Sequence, residues 1–144
     1  MNVLCPHCGV INKVSPDKMR EMVVKCGKCK KPVEPDAPGF PVDVDQSTFT
    51  NQVKLSEKPV LLDLWSPSCP PCRQLAPVLK SLAKEMVGQL KVAKLNVAEQ
   101  PAAASVFQVR GVPTLILLKN GKELDRTAGF QPIEQLKRFV SQAF

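Results

Sequence analysis

The stretch from Val60 to Cys72, Val-Leu-Leu-Asp-Leu-Trp-Ser-Pro-Ser-Cys-Pro-Pro-Cys, leaves a folding chain few choices. Val60, Leu61, Leu62, Leu64 and Trp65 place apolar side chains on both faces of an alternating backbone, the pattern of a central strand covered on both sides. Asp63 interrupts that pattern with a carboxylate. Beyond the cysteines, Leu75, Val78, Leu79, Leu82, Ala83 and Met86 recur at helical spacing, which predicts a long amphipathic helix starting at Cys69 and Cys72. Unpaired N–H groups and the positive end of the helix dipole then favour a thiolate over a thiol. The same spacing also fits half of a metal site. Pro70 and Pro71, however, lack the N–H groups that a metal knuckle aims at its sulfurs, and they suit the first turn of a helix. The pair reads as a redox dithiol.

The other four of the six cysteines form two more such pairs, Cys5-Pro6-His7-Cys8-Gly9 and Cys26-Gly27-Lys28-Cys29. Their separation is that of a zinc ribbon, in which two tight turns complete a closed tetrahedral site. Cys5, Cys8, Cys26 and Cys29 are therefore the candidate ligands of a structural zinc ion, and residues 1–31 the candidate ribbon. So short a segment has little apolar material of its own, so that metal would have to hold it. Two other readings stand beside this one. Cys5 and Cys8 could be a second dithiol, although no buried strand precedes them and no amphipathic helix follows; His7 could replace a cysteine as ligand.

The 144 residues suffice for one domain with a real core and a small appendage. The formal net charge of +7 is spread along the chain rather than clustered, which supports a weak preference for acidic partners and no nucleic-acid role. The N-terminus shows no basic stretch followed by an apolar run, and no apolar segment is long enough to span a bilayer, so a cytoplasmic protein without a membrane role is expected. Cysteines used in Cys-x-x-Cys pairs without a secretion signal agree.

Residues 32–41 hold most of a run with four prolines and no apolar period, predicting a stiff linker that holds the ribbon at a distance without a specific contact. From residue 42 a second unit is expected. Val42 and Val44 begin it with a short strand, and Asp45 or Ser47 can cap a helix running to about Leu55. After the central strand and long helix, Gly88 stops the helix, and Leu90, Val92, Leu95 and Val97 mark a strand. A short helix at about Pro101 to Phe107 comes next. Strands at Thr114–Leu118 and Glu123–Ala128 flank the hairpin signal Asn120-Gly121, and Ile133, Leu136, Phe139 and Val140 define a closing helix. Crossover units followed by a hairpin predict an α/β fold with a mixed sheet and helices on both faces.

Asp63, Trp65, Cys69 to Cys72, Pro77, Lys94, Arg110-Gly111-Val112-Pro113-Thr114, Lys119-Asn120-Gly121 and Gly129 together resemble the thioredoxin family over residues 42–144. With the two N-terminal knuckles, the chain is similar to the zinc-binding kind of bacterial thioredoxin. The resemblance implies a thioredoxin-like mixed sheet, a monomer, and a protein-disulfide reductase recharged by an NADPH-dependent flavoprotein, thioredoxin reductase. It implies that Cys69 attacks the substrate disulfide, Cys72 resolves the mixed disulfide and Asp63 takes the proton from Cys72. It further implies that Lys94 neighbours Asp63 and that Trp65, Pro70, Pro71, Val112, Pro113 and Gly129 border the substrate, with Pro113 in the cis form.

Two residues depart from the family pattern. Ser68 stands where thioredoxins carry a second tryptophan, and Pro70 stands where they carry glycine. One change removes apolar surface beside the dithiol and the other an N–H that could support a thiolate. An isomerase or oxidant tuned by the Pro-Pro spacer, or a partner-binding ribbon with a redox-sensing dithiol, are the alternative readings.

Overall fold

A computed structural model describes residues 2–5, 8–13, 24–33, 37 and 39–144. Two antiparallel two-stranded hairpins come first: β1 (Asn2–Leu4) with β2 (Ile11–Lys13), and β3 (Val24–Lys25) with β4 (Pro32–Val33). Each brackets one Cys-x-x-Cys turn. Ile11 stays 64% exposed, and among the described residues of this part the buried side chains are those of Cys5 and Cys26 and, on the segment that follows, Ala37. His7 lies outside the described residues.

The stretch expected to be a linker departs from expectation at both ends. Pro32 and Val33 belong to β4, opposite Lys25 and Val24, so the second hairpin runs past residue 31. Ala37 is buried, its carbonyl accepts a hydrogen bond from the Gly88 N–H at 2.9 Å, and a Cβ on Gly39 would come within 3.1 Å of the Val87 side chain. These residues dock on the turn after the long helix instead of holding away from it. Small side chains permit the approach: Ala37 and Gly39 both have positive φ (62° and 91°) and fit where bulkier residues would clash.

The remaining strands are β5 (Val42–Asp43), β6 (Val60–Trp65), β7 (Lys91–Asn96), β8 (Thr114–Lys119) and β9 (Lys122–Ala128), in the spatial order β5-β7-β6-β8-β9. β6 is central, parallel to β7 and antiparallel to β8, and the hairpin β8–β9 turns at Asn120 and Gly121, both with positive φ. Helices α1 (Pro70–Glu85), α2 (Pro101–Val106) and α3 (Ile133–Val140) complete the fold.

Side chains alternate across the sheet. Leu61, Val92, Leu115 and Leu117 pack with Leu75, Leu79 and Leu82 of α1 and Leu136 and Val140 of α3. Val60, Leu62, Leu64, Leu95 and Ile116 pack on the opposite face with Val53, Phe49 and Phe107. By the two-residue period of a strand, Asp63 and Trp65 share the α1 face with Leu61.

The expected helix up to Leu55 is instead a turn at Asp45–Thr48 leading into a short π-helix, Thr50–Lys54. Asp45 closes the turn rather than capping the helix: its Oδ1 accepts from the Ser47 hydroxyl at 2.6 Å and from the N–H groups of Thr48 at 3.0 Å and Ser47 at 2.9 Å, which holds its carboxyl below the usual carboxylate range. The π-helix is N-capped at Phe49 without a side-chain hydrogen bond. The wide turn is closed by the Leu55 N–H on the Thr50 carbonyl at 2.9 Å, and a buried lysine packs under it. Lys91 Nζ donates to Gln52 Oε1 at 2.7 Å and to the Gln52 carbonyl at 3.1 Å, and the Ser56 N–H is directed to the Val53 carbonyl at 3.5 Å.

Candidate functional site

The dithiol sits where β6 ends and α1 begins. Cys69 is the N-cap, in extended conformation, and its sulfur accepts the Cys72 N–H at 3.2 Å. Pro70 and Pro71 occupy the first turn, where a helix leaves its N–H groups unpaired in any case. Cys69 and Cys72 are joined as a disulfide with their Cα atoms 5.2 Å apart. Cys69 is 8% exposed and Cys72 3%, so the first residue of the pair is the more accessible.

Across from them, Cys69 Sγ lies 3.5 Å from the Val112 carbonyl oxygen, and the Val112–Pro113 bond is cis. The Gly129 N–H donates to the Pro113 carbonyl at 3.0 Å, and Gly129 has a φ of +84°. A groove of about 440 Å³ runs along Gly111, Val112, Pro113 and Gly129, with Arg110 and Arg126 at its edge. Arg126 is held by Glu123 at 2.6 Å and by the Phe107 carbonyl at 2.9 Å. The Ser66 and Ser68 hydroxyls meet at 3.0 Å on the loop before Cys69. Where a large ring would project, the loop offers two small polar groups.

Asp63 is 1% exposed, and neither carboxylate oxygen has a hydrogen-bond partner among the described residues. Burial pushes its pKa up to about 7, and Lys94, its register partner on β7, pulls in the opposite direction without offsetting it. Lys94 Nζ lies 4.5 Å from the centroid of the Trp65 ring, whose Nε1 is also without a partner among the described residues. A carboxyl that changes charge near neutrality therefore lies on the α1 side of the central strand that leads into the dithiol.

The ribbon cysteines converge. The sulfurs of Cys5, Cys8, Cys26 and Cys29 all lie within 4.8 Å of one another, with Cys5 next to Cys29 and Cys8 next to Cys26 at 3.6 Å each. Both of these contacts join one turn to the other and all four sulfurs converge on one point, the arrangement of one tetrahedral site rather than of two separate dithiols, which weighs against a Cys5/Cys8 couple. The backbone N–H groups of Cys29 and Lys28, with Asn12 Nδ2, draw the Cys26 thiol down to about 6. At Cys8 the Val10 backbone bond acts in the same direction but is outweighed by desolvation and by three neighbouring thiols, and its pKa rises to about 11. Four sulfurs this close cannot all ionise without a cation among them, which is the donor chemistry of a thiolate metal site.

Residues 40–142 match the thioredoxin family model. The chain belongs to the thioredoxin family. It is 41% identical to a thioredoxin of Haemophilus influenzae over 69% of this chain and 92% of that protein, and 44% identical to thioredoxin 1 of Chlorobaculum tepidum over 67% and 95%. The solved structure of a point mutant of thioredoxin from Halobacterium salinarum superposes with a TM-score of 0.68 at 34% identity, covering 74% of this chain and 92% of that one. As in its thioredoxin relatives, the chemistry is that of a thiol-disulfide oxidoreductase. The four ribbon cysteines lie outside the matched residues, and no described helix is long and apolar enough to cross a membrane.

Two features of this thioredoxin-family chain escape sequence reasoning. Asn12 ties the turns together, accepting the Gly27 N–H at 3.0 Å and approaching Cys26 Sγ at 3.5 Å. An asparagine in a two-residue alternation carries no local mark of that role. The second is the left-handed position of each knuckle. In the first turn it is Gly9, but in the second it is Lys30, with a φ of +63°, and not Gly27.

Proposed function

We propose that the chain is a protein-disulfide reductase whose N-terminal turns, Cys5, Cys8, Cys26 and Cys29, hold a structural Zn2+. The observation that carries the first part is the N-cap position of Cys69, with the Cys72 N–H directed at its sulfur and the cis Val112–Pro113 bond opposite. In the reduced protein the Cys69 thiolate attacks one sulfur of a substrate disulfide, forming a mixed disulfide and releasing the other sulfur as a thiolate. Cys72 then loses its proton to Asp63 through water, attacks Cys69 Sγ, and releases the second substrate thiolate. Two electrons have passed to the substrate, and the Cys69–Cys72 disulfide is the product form.

Asp63 suits the proton step because a group titrating near 7 can accept a proton and give it back at neutral pH. Trp65, Pro70 and Pro71 wall the dithiol. The backbone at Val112, with Pro113 and Gly129, receives the extended substrate chain by strand-like hydrogen bonds. Pro70 favours this direction of transfer, since a missing N–H leaves the reduced thiolate less stabilised and the dithiol a better electron donor than an oxidant would be. NADPH, supplied through thioredoxin reductase, closes the cycle.

The four-sulfur cluster suits Zn2+ by ligand type and by its closed, largely buried arrangement; bound there, the ion would hold four thiolates and stabilise the ribbon. The test is NADPH-coupled insulin reduction with thioredoxin reductase, run beside metal analysis. Turnover that depends on Cys69, with one zinc per chain, is expected. No insulin reduction under conditions where the dithiol is shown to be reduced would end the reductase reading, and absence of metal with four titratable N-terminal thiols would end the zinc reading.

A further inference from the structure

The face of the sheet opposite α1 holds a second cavity, of about 260 Å³, between the π-helix, α2 and the β8–β9 hairpin. Leu95 and Leu118 form its floor, and Phe49 and Phe107, edge to face at 5.4 Å, form a wall. It shares no lining residue with the groove along Pro113. Two observations say that this hollow is unfinished. α2 buries none of its residues, and Val106, which lines the mouth, is 75% exposed. Apolar surface facing outward beside an apolar recess is surface that a ligand can cover.

The charge at the rim selects the ligand. Among the described residues no acidic side chain lines the cavity, while Lys54 does, its ammonium 5.9 Å from the Phe49 ring centroid. Lys54 takes part in none of the ion pairs formed among the described residues. We propose that this cavity binds a small carboxylate amphiphile of the fatty-acid type, with its tail between Phe49, Phe107 and Val106 and its carboxylate at Lys54. Each methylene removed from the tail should weaken binding about fourfold, the loss of one buried methylene.

The experiment titrates the full-length, isotopically labelled protein with octanoate, hexanoate and octanol, following backbone amide signals. Octanoate is expected to shift signals at Phe49, Lys54, Val106 and Phe107 and to leave those at Cys69 and Val112 in place. Lys54→Gln should weaken octanoate about two- to fivefold, the range of an exposed ion pair, without changing octanol. Ala102→Phe, at an exposed position on the mouth, should abolish both. Equal affinity for octanol and octanoate would overturn the carboxylate assignment. Unmoved signals at the cavity, binding undiminished in Ala102→Phe, or ligand-free shifts there that grow with protein concentration, the mark of a second copy, would overturn the site.

Discussion

Three Cys-x-x-Cys turns in one chain fold in two different ways, although each opens with the same backbone hydrogen bond. In all three, the carbonyl of the first cysteine accepts the N–H of the residue four positions on: Gly9 to Cys5 and Lys30 to Cys26 at 3.0 Å, Arg73 to Cys69 at 3.2 Å. Divergence comes at that next residue. Gly9 and Lys30 turn left-handed, and the chain folds back so that the Val10 and Lys31 carbonyls accept the N–H groups of Cys5 and Cys26 at 2.8 Å. Arg73 stays helical, and α1 continues to Glu85. The N–H groups facing the sulfur differ as well. Cys26 receives the Lys28 N–H, two residues on, at 3.4 Å; at the same place after Cys69 stands Pro71, and among the described residues the N–H that reaches the sulfur is that of Cys72. A turn that folds back offers its two sulfurs outward to another turn, whereas one that continues as a helix brings them to each other.

The comparison breaks most completely at the sulfurs. Cys69→Ser should abolish disulfide reduction without lowering metal content, and Cys72→Ser should accumulate mixed disulfides, seen by mass spectrometry of the protein after exposure to oxidised substrate. An absence of covalent adducts in the Cys72 variant would reverse the role assignment. Cys26→Ser, or chelation, should do the converse: metal is lost, the amide signals of the two N-terminal hairpins collapse, and insulin reduction at saturating reductase persists, because the sheet has its own core.

Asp63 tests the helical turn through stability. Its folded pKa lies near 7, above its ordinary value of 3.8, so between these values the native state binds more protons than the unfolded one and stability falls as pH rises through that window. The cost reaches roughly 4 kcal/mol above pH 7. Asp63→Asn should therefore denature at higher urea than the parent at pH 8, with the difference shrinking toward pH 4, and should turn over more slowly at pH 7. An equal midpoint at both pH values would mean that the carboxyl is solvated.

Smaller effects should come from exchanging the features that separate the turns. Pro70→Gly restores an N–H near Cys69; stabilising the thiolate by about 1.4 kcal/mol would raise the reduction potential by about 30 mV, measurable by equilibration against glutathione. Lys30→Gly relieves a left-handed lysine and should strengthen the ribbon by about 0.5–1 kcal/mol, read as slower metal loss to a competing chelator.

Most of the large sheet was legible because its signals are local: the apolar run, the helical period after Cys72, and Asn120-Gly121 each announce their element without reference to the rest. The dithiol was legible for the same reason, and the burial of Asp63 follows from its flanking residues. The contact under the π-helix was not, since it joins Lys91 to Gln52, thirty-nine positions away, and a lysine in a sequence carries no sign that it will be buried. Nor was the docking of Ala37 on Gly88. Proline-rich composition describes how a segment behaves alone, and this one is fixed by a backbone hydrogen bond to a distant turn. Asn12 belongs with these: its partners lie in the other hairpin.

The place of β6 in the sheet bears on how the dithiol endures use. β6 is hydrogen-bonded along both edges and packed on both faces, so its amides should be among the last to exchange with solvent, opening only when the whole sheet opens. Cys69 and Cys72 are reached from the end of that strand. Each round of oxidation and reduction then acts on a pair of sulfurs whose footing stays closed while they react, and no partial unfolding is needed for the pair to separate and rejoin.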